Sequence, residues 1–201
     1  KIIELEKKFN QTSIELHENR KKIASKLSSK IQDLMKNLNM PNAQFDIKIS
    51  NHETNENFVN YRGKKYLRNS KGFDNVEFYL STNIGEPLKP LSLIASGGEI
   101  SRIMLAIKTA FEDIDPAETL IFDEIDSGIS GKAASKVASH LLDLSKKKQV
   151  ICISHLSQIA LKADHHLHIE KYIQNKNTYV NYKYTNHKDR SKIIKELFQD
   201  E

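Results

Sequence analysis

Tryptophan is absent from this 201-residue chain, cysteine occurs once, proline four times and glycine seven times. The lone Cys152 cannot form an intrachain disulfide, which excludes a disulfide-stapled scaffold and points to a reducing compartment, the cytosol. It lies in the apolar run Val150-Ile151-Cys152-Ile153 and reads as a small hydrophobe of a strand rather than a reactive thiol. No run approaches the ~18 apolar residues of a membrane-spanning helix, and Lys1-Ile2-Ile3-Glu4 lacks the basic-then-apolar layout of a signal peptide. A membrane partner is therefore not expected. No Met opens the sequence, so it is expected to be a piece of a longer protein. A phosphate loop is also missing: Gly63-Lys64-Lys65 and Gly131-Lys132 lack the upstream glycine and the hydroxyl residue of GxxxxGK[ST].

What is there has the balance of a soluble protein, 38% hydrophobic and 28% charged residues, with a formal charge of +5. That charge permits attraction to nucleic acid without demonstrating it. The length suits one domain plus an appendage.

The first 40 residues contain neither Gly nor Pro. Ile2, Leu5, Phe9, Thr12, Leu16, Asn19 and Ile23 fall at alternating steps of three and four, and Leu27, Ile31, Leu34 and Leu38 continue the stripe after one extra four-step. This is a heptad seam with an offset between Ile23 and Leu27, where a coiled coil would locally unwind. A plain amphipathic helix lying on a domain is the alternative. Pro41 ends the helix. Phe45, Ile47 and Ile49 then alternate as a half-buried strand does, residues 51–75 read as a polar excursion or hairpin, and Val76, Phe78 and Leu80 alternate again.

Helical spacing resumes at Ile103, Met104, Ile107, Ala110 and Phe111. Residues 119–122 form a short apolar strand, Ala134, Val137, Ala138, Leu141 and Leu142 a further helix, and residues 150–153 another apolar strand. Short apolar runs alternating with helices predict a parallel sheet buried on both faces. A last alternation, Val180, Tyr182 and Tyr184, precedes a helix carrying Ile193, Ile194, Leu197 and Phe198.

Three groups of residues carry chemistry. Leu120-Ile121-Phe122-Asp123-Glu124 ends a buried strand in two carboxylates, at the sheet edge where α/β folds bind ligands. One can hold Mg²⁺, usually through water, and the next can orient or deprotonate an attacking water. Ser96-Gly97-Gly98-Glu99 is a capping box, but two consecutive glycines cost helix stability and make sense where the backbone must approach something closely. A glycine-rich turn feeding a helix N-terminus also suits an anion. His155 follows a strand to the same edge, where it can reach a terminal phosphate. His165, His166 and His168 invite a metal reading, but neighbours along a strand point to opposite faces and no further ligands are evident, so incidental histidines are expected.

Together, Ala95 to His155 resemble the C-terminal half of an ABC-type ATPase head. Ala95 to Arg102 look like the signature motif, Thr119 to Glu124 like Walker B, Ile125 to Ser130 like the D-loop and His155 like the switch histidine. Glu99, where transporter subunits usually carry Gln, points to the SMC-like chromosome and repair branch. The segments Val76 to Lys108, Phe122 to Gly128, Cys152 to Gln158 and Ala163 to His166 are similar to bacterial recombination and repair members of that branch.

The resemblance implies an α/β fold, the C-terminal lobe of an ABC-type head with a parallel-sheet core and flanking helices, over residues 41–201. Residues 1–40 would be the returning arm of an antiparallel coiled coil. It further implies that the N-terminal half of the same protein supplies the phosphate loop, and that a homodimer of heads sandwiches ATP and Mg²⁺. Ser96, Gly97, Gly98 and Glu99 would then face the γ-phosphate held by the opposite head. Asp123 would serve the metal, Glu124 the water, His155 the γ-phosphate, and Asp126 the dimer interface. The expected function is ATP-dependent recombinational repair of DNA double-strand breaks, at the nucleoid. The competing reading is a non-catalytic clamp or assembly module. DNA contact by this chain would fall to Lys7, Lys8, Arg20, Lys21, Lys22 and Lys26 on the arm.

Overall fold

The computed structural model describes residues 1–94 and 97–199. They group into two compact units, residues 1–36 with 40–94, and residues 37–39 with 97–199.

The first unit begins with α1 (Ile2–Asn37), about 54 Å long at 1.5 Å per residue. Nothing in its sequence breaks it before Asn39, which takes a left-handed φ of 64°. The Met40 N–H then closes on the Met35 carbonyl at 3.1 Å, satisfying an orphan carbonyl of the last turn. The helix is buried at Ser13, His17, Ser28, Ile31 and Met35. Of the predicted seam, Ile2, Leu5 and Ile23 are exposed on the described surface.

Strands β1 (Gln44–Ser50), β4 (Asn75–Ser81) and β5 (Lys89–Pro90) form an antiparallel sheet in the order β1-β4-β5. Phe45 faces Leu80 and Ile47 faces Phe78 in its register. Phe45 and Leu80 are buried, so the alternation read from sequence marks the inner face. The excursion forms a hairpin, β2 (Phe58–Tyr61) and β3 (Lys64–Leu67). Its two-residue turn has φ 49° at Arg62 and 78° at Gly63, the double left-handed geometry that matches strand twist.

In the second unit, α2 (Gly97–Ala110) buries Ile103, Leu105, Ala106 and Ile107. Strands β6 (Thr119–Phe122) and β7 (Gln149–Cys152) pair in parallel through α3 (Gly131–Ser145), which buries Ala134, Val137, Ala138, Leu141 and Leu144. The short helix α4 (Ser157–Lys162), the hairpin β8 (Leu167–Gln174) and β9 (Asn177–Tyr184), and α5 (His187–Gln199) complete it. The parallel pair is buried on one face only, a departure from the two-sided burial predicted. Leu120 and Phe122 point inward, while Ile121, Ile151 and Ile153 are 66%, 44% and 53% exposed. Among the described residues no helix is long and apolar enough to cross a membrane.

Candidate functional site

Strand β6 delivers its two carboxylates to the carboxyl edge of the parallel pair, as the sequence placed them. Asp123 Oδ1 accepts the Glu124 N–H at 2.9 Å, and the Asp123 carbonyl accepts Ser101 Oγ of α2 at 2.6 Å. Glu124 stands at φ 54°, a left-handed backbone that a side chain with a Cβ rarely adopts. The turn it starts is closed by Ser127 N–H on the Glu124 carbonyl (3.0 Å) and Ile129 N–H on the Asp126 carbonyl (3.2 Å).

The N-terminus of α2 packs directly on this turn. A Cβ on Gly98 would lie 2.6 Å from Ser127 Cβ, 2.8 Å from the Ser127 carbonyl and 2.9 Å from the Glu124 carbonyl. A Cβ on Gly97 would collide with the Glu124 carboxylate. The consecutive glycines thus have an intramolecular reason. Glu99 is partly buried in the first turn, and Ser96 and Ala95 lie outside the described residues.

Arg102, the last residue of the signature-like stretch and also on α2, is 6% exposed. Its Nη1 donates to the Ile125 carbonyl at 3.2 Å and the Ser127 carbonyl at 2.7 Å. Burial lowers its pKa from the usual guanidinium range, against the neighbouring charges of Glu99 and Asp126, which favour the cation. The available signal was a charge beside Ile103 within an otherwise apolar stripe. It ties the first turns of α2 to the segment after Asp123.

Asp126 is 5% exposed. Its Oδ2 accepts Ser154 Oγ and the His155 N–H (3.0 Å) and lies 3.2 Å from His155 Nδ1. Ser154 Oγ in turn accepts the Leu156 N–H at 3.1 Å. His155 itself is exposed, so its ring is held at Nδ1 with Nε2 free to meet another group. Glu124, Asp126, Ser127, Gly128, Ile129, Ser130 and His155 line one open depression of about 530 Å³. The structure thus gathers Gly97, Gly98, Asp123, Glu124, Asp126 and His155 within one unit.

Cys152 ends β7 nearby. Burial, with the charges of Asp126 and Asp123, pushes its thiol up to about 12, which makes it inert at neutral pH. His166 Nε2 lies 2.6 Å from the Ala160 carbonyl and His168 Nε2 lies 2.9 Å from Glu170, so the two imidazoles are separately engaged. Among the described residues no three His, Cys, Asp or Glu side chains gather as a metal cage. A Mg²⁺ ion seldom needs one, since it keeps waters and takes one or two carboxylates plus substrate phosphates. Asp123, exposed at a strand end, fits that donor requirement.

No protein-family model matches the chain. Its fold is that of an SMC head: it matches the Smc head domain with a coiled coil and joint from Pyrococcus yayanosii at a TM-score of 0.53 and 20% identity, over 85% of this chain and 28% of that one. Sequence narrows the class. The chain is 49% identical over 152 residues to DNA repair protein RecN of Halalkalibacterium halodurans, covering 76% of this chain and 25% of the relative. The same-named protein of Treponema pallidum is 44% identical over 149 residues, covering 74% and 25%. That of Rickettsia conorii is 39% identical over 190 residues, covering 94% of this chain and 32% of the relative. The chain spans about a quarter of the length of the first two of these curated relatives. Over that shared quarter it is similar in sequence to the RecN proteins.

Proposed function

We propose that the chain is the C-terminal lobe of an ATP-hydrolysing head in a RecN-like protein of DNA break repair. One observation carries this: the Asp123-Glu124 strand end, His155 held by Asp126, and the Gly97-Gly98 helix start meet at the carboxyl edge of one parallel strand pair. Each of these parts alone is commonplace. Their junction around one open depression suits phosphoryl transfer, which depends chiefly on positioning and electrostatics.

In this reading Asp123 is the carboxylate that holds Mg²⁺ through water, and the ion would neutralise charge on the phosphates. Glu124 orients the attacking water. His155 presents Nε2 to the γ-phosphate, with its ring fixed by Asp126. Gly97, Gly98 and Glu99 at the start of α2, with Ser96 before them in sequence, serve the γ-phosphate held by a second head, and Asp126 lines that interface. The N-terminal half of the same protein supplies the phosphate loop that this sequence lacks. The bare face at Ile121, Ile151 and Ile153 supports such a complement, because covering these side chains would contribute roughly 1 kcal/mol each. The setting is cytoplasmic, at the nucleoid, with DNA as a partner of the whole protein. Arg20 contributes least to any DNA contact, since it is engaged with Asp74.

The test is ATP turnover by the full-length protein with and without Glu124→Gln. The variant is expected to lose turnover by about 1,000-fold or more while its heads remain associated on ATP. Unchanged turnover in Glu124→Gln, or vigorous turnover by the 201-residue chain alone, contradicts the assignment.

A further inference from the structure

Residues 51–75 take no part in the site at β6 and β7, yet they carry the most deeply buried charge cluster of the first unit. The Asp74 side chain is fully inaccessible. Its Oδ1 lies 2.6 Å from His17 Nδ1 and accepts Asn51 Nδ2 at 2.8 Å, and its Oδ2 accepts Arg20 Nη1 at 2.9 Å. The His17 ring is stacked on Phe73 at 4.9 Å and meets Tyr61 edge-on at 4.9 Å. Gly72, at φ 102°, backs onto the helix in van der Waals range of Arg20 and Leu16 (3.7 Å each from a Cβ placed there) and of Ser13 (3.9 Å). Around this buried centre, Arg20 also donates to the Lys71 carbonyl at 3.0 Å, and Glu18 of α1 bonds Tyr61 and, at 3.3 Å, Arg62.

We propose that the 51–75 excursion is a brace that clasps the flank of α1 around His17, with Asp74 as its pin, and fixes the direction in which the arm leaves the β1–β4 sheet. The functional consequence rests on reading α1 as the arm of a coiled coil. A helix about 54 Å long that is tied down only near its root can pivot. Contact at His17 holds it near its middle. An apolar patch alone would permit sliding along the helix. A buried carboxylate does not, because a shift of one helical turn would leave Asp74 dehydrated and unpaired. The cluster therefore specifies one register between excursion and arm. It takes Leu16 of the predicted seam, against Gly72, and leaves Ile2, Leu5 and Ile23 open for a partner helix.

The test uses the full-length protein freed of its native cysteines, Cys152→Ala included, with paired spin labels at Glu4→Cys on α1 and Glu77→Cys on β4. The parent is expected to give one narrow distance distribution, with Asp74→Asn and His17→Phe broadening it and leaving basal ATP turnover unchanged. Should Asp74→Asn fail to fold, His17→Phe carries the comparison, since it keeps the buried carboxylate and an aromatic ring against Phe73. A broad distribution in the parent, or a narrow one in both variants, overturns the brace. Failure of the ATPase reading would appear separately, as a parent without turnover.

Discussion

Asp126 Oδ2 accepts the backbone N–H of His155 at 3.0 Å and lies 3.2 Å from Nδ1 of the same residue. One buried carboxylate thus sets both the backbone and the ring of an otherwise exposed histidine. Asp126→Ala leaves the Ser154 hydroxyl and the His155 N–H without their acceptor, which costs about 1–3 kcal/mol. In the full-length protein it should also lower ATP turnover by about 100-fold through misplacement of His155. Urea unfolding and steady-state kinetics on the same variant measure the two effects, and an unchanged kcat refutes the positioning role.

The two glycines of α2 should respond differently to a methyl group. At Gly98 the obstruction includes the Ser127 and Glu124 carbonyls, at 2.8 and 2.9 Å, which cannot swing away. At Gly97 it is the end of the Glu124 side chain, which can. Gly98→Ala is expected to destabilise by about 1–3 kcal/mol and Gly97→Ala by clearly less. Equal urea midpoints for the two variants speak against the packing described.

Glu124 adopts a left-handed backbone at φ 54°. Removing its side chain entirely should therefore stabilise relative to shortening it. Glu124→Gly is expected to be more stable than Glu124→Ala by about 1 kcal/mol, the reverse of the order in a helix. Both variants should be inactive. A thermal-melt comparison decides the order.

Asp74 makes the first unit sensitive to acid. Desolvation by burial raises its pKa, but hydrogen bonds from Arg20, His17 and Asn51 outweigh it and hold the carboxyl below the usual carboxylate value. A depressed folded-state pKa contributes stability that is fully present above the unfolded value, near pH 3.8, and is lost as pH falls through the folded one. Asp74→Asn should thus lower stability at neutral pH and flatten the loss seen below about pH 4. Urea midpoints from pH 2 to 7 show this as converging curves.

Cys152 offers a probe of the same lobe. With its thiol pushed up to about 12, almost no thiolate exists at pH 8. Labelling by a thiol reagent should be slow in the folded protein and rapid in denaturant. Fast native labelling would contradict the raised Cys152 thiol.

Much of this architecture was legible because it follows from local rules. The run without Gly or Pro gave α1, the alternations gave β1 and β4 with Phe45 and Leu80 inward, and two apolar runs followed by Asp123 and by His155 placed those residues at one sheet edge. Hydrophobic periodicity missed the buried flank of α1, because that flank is polar: Ser13 and His17 are buried, and the partner of His17, Asp74, lies 57 residues away. The pairing is chemical rather than periodic, and a stripe of apolar letters cannot register it. Arg102 escaped for a related reason, since its partners are backbone carbonyls, which every sequence has. The expectation of two buried sheet faces at β6 and β7 failed because Ile121, Ile151 and Ile153 carry the composition of a core without having one here.

That bare isoleucine face bears on cellular quality control. Partly folded chains with exposed apolar strands are substrates for chaperones, proteases and aggregation. A lobe that presents one persistently would be short-lived unless a complementary surface reached it soon after synthesis. With the complement proposed on the N-terminal half of the same polypeptide, that surface is made first and is tethered to the lobe, so covering the face needs no encounter between separate chains.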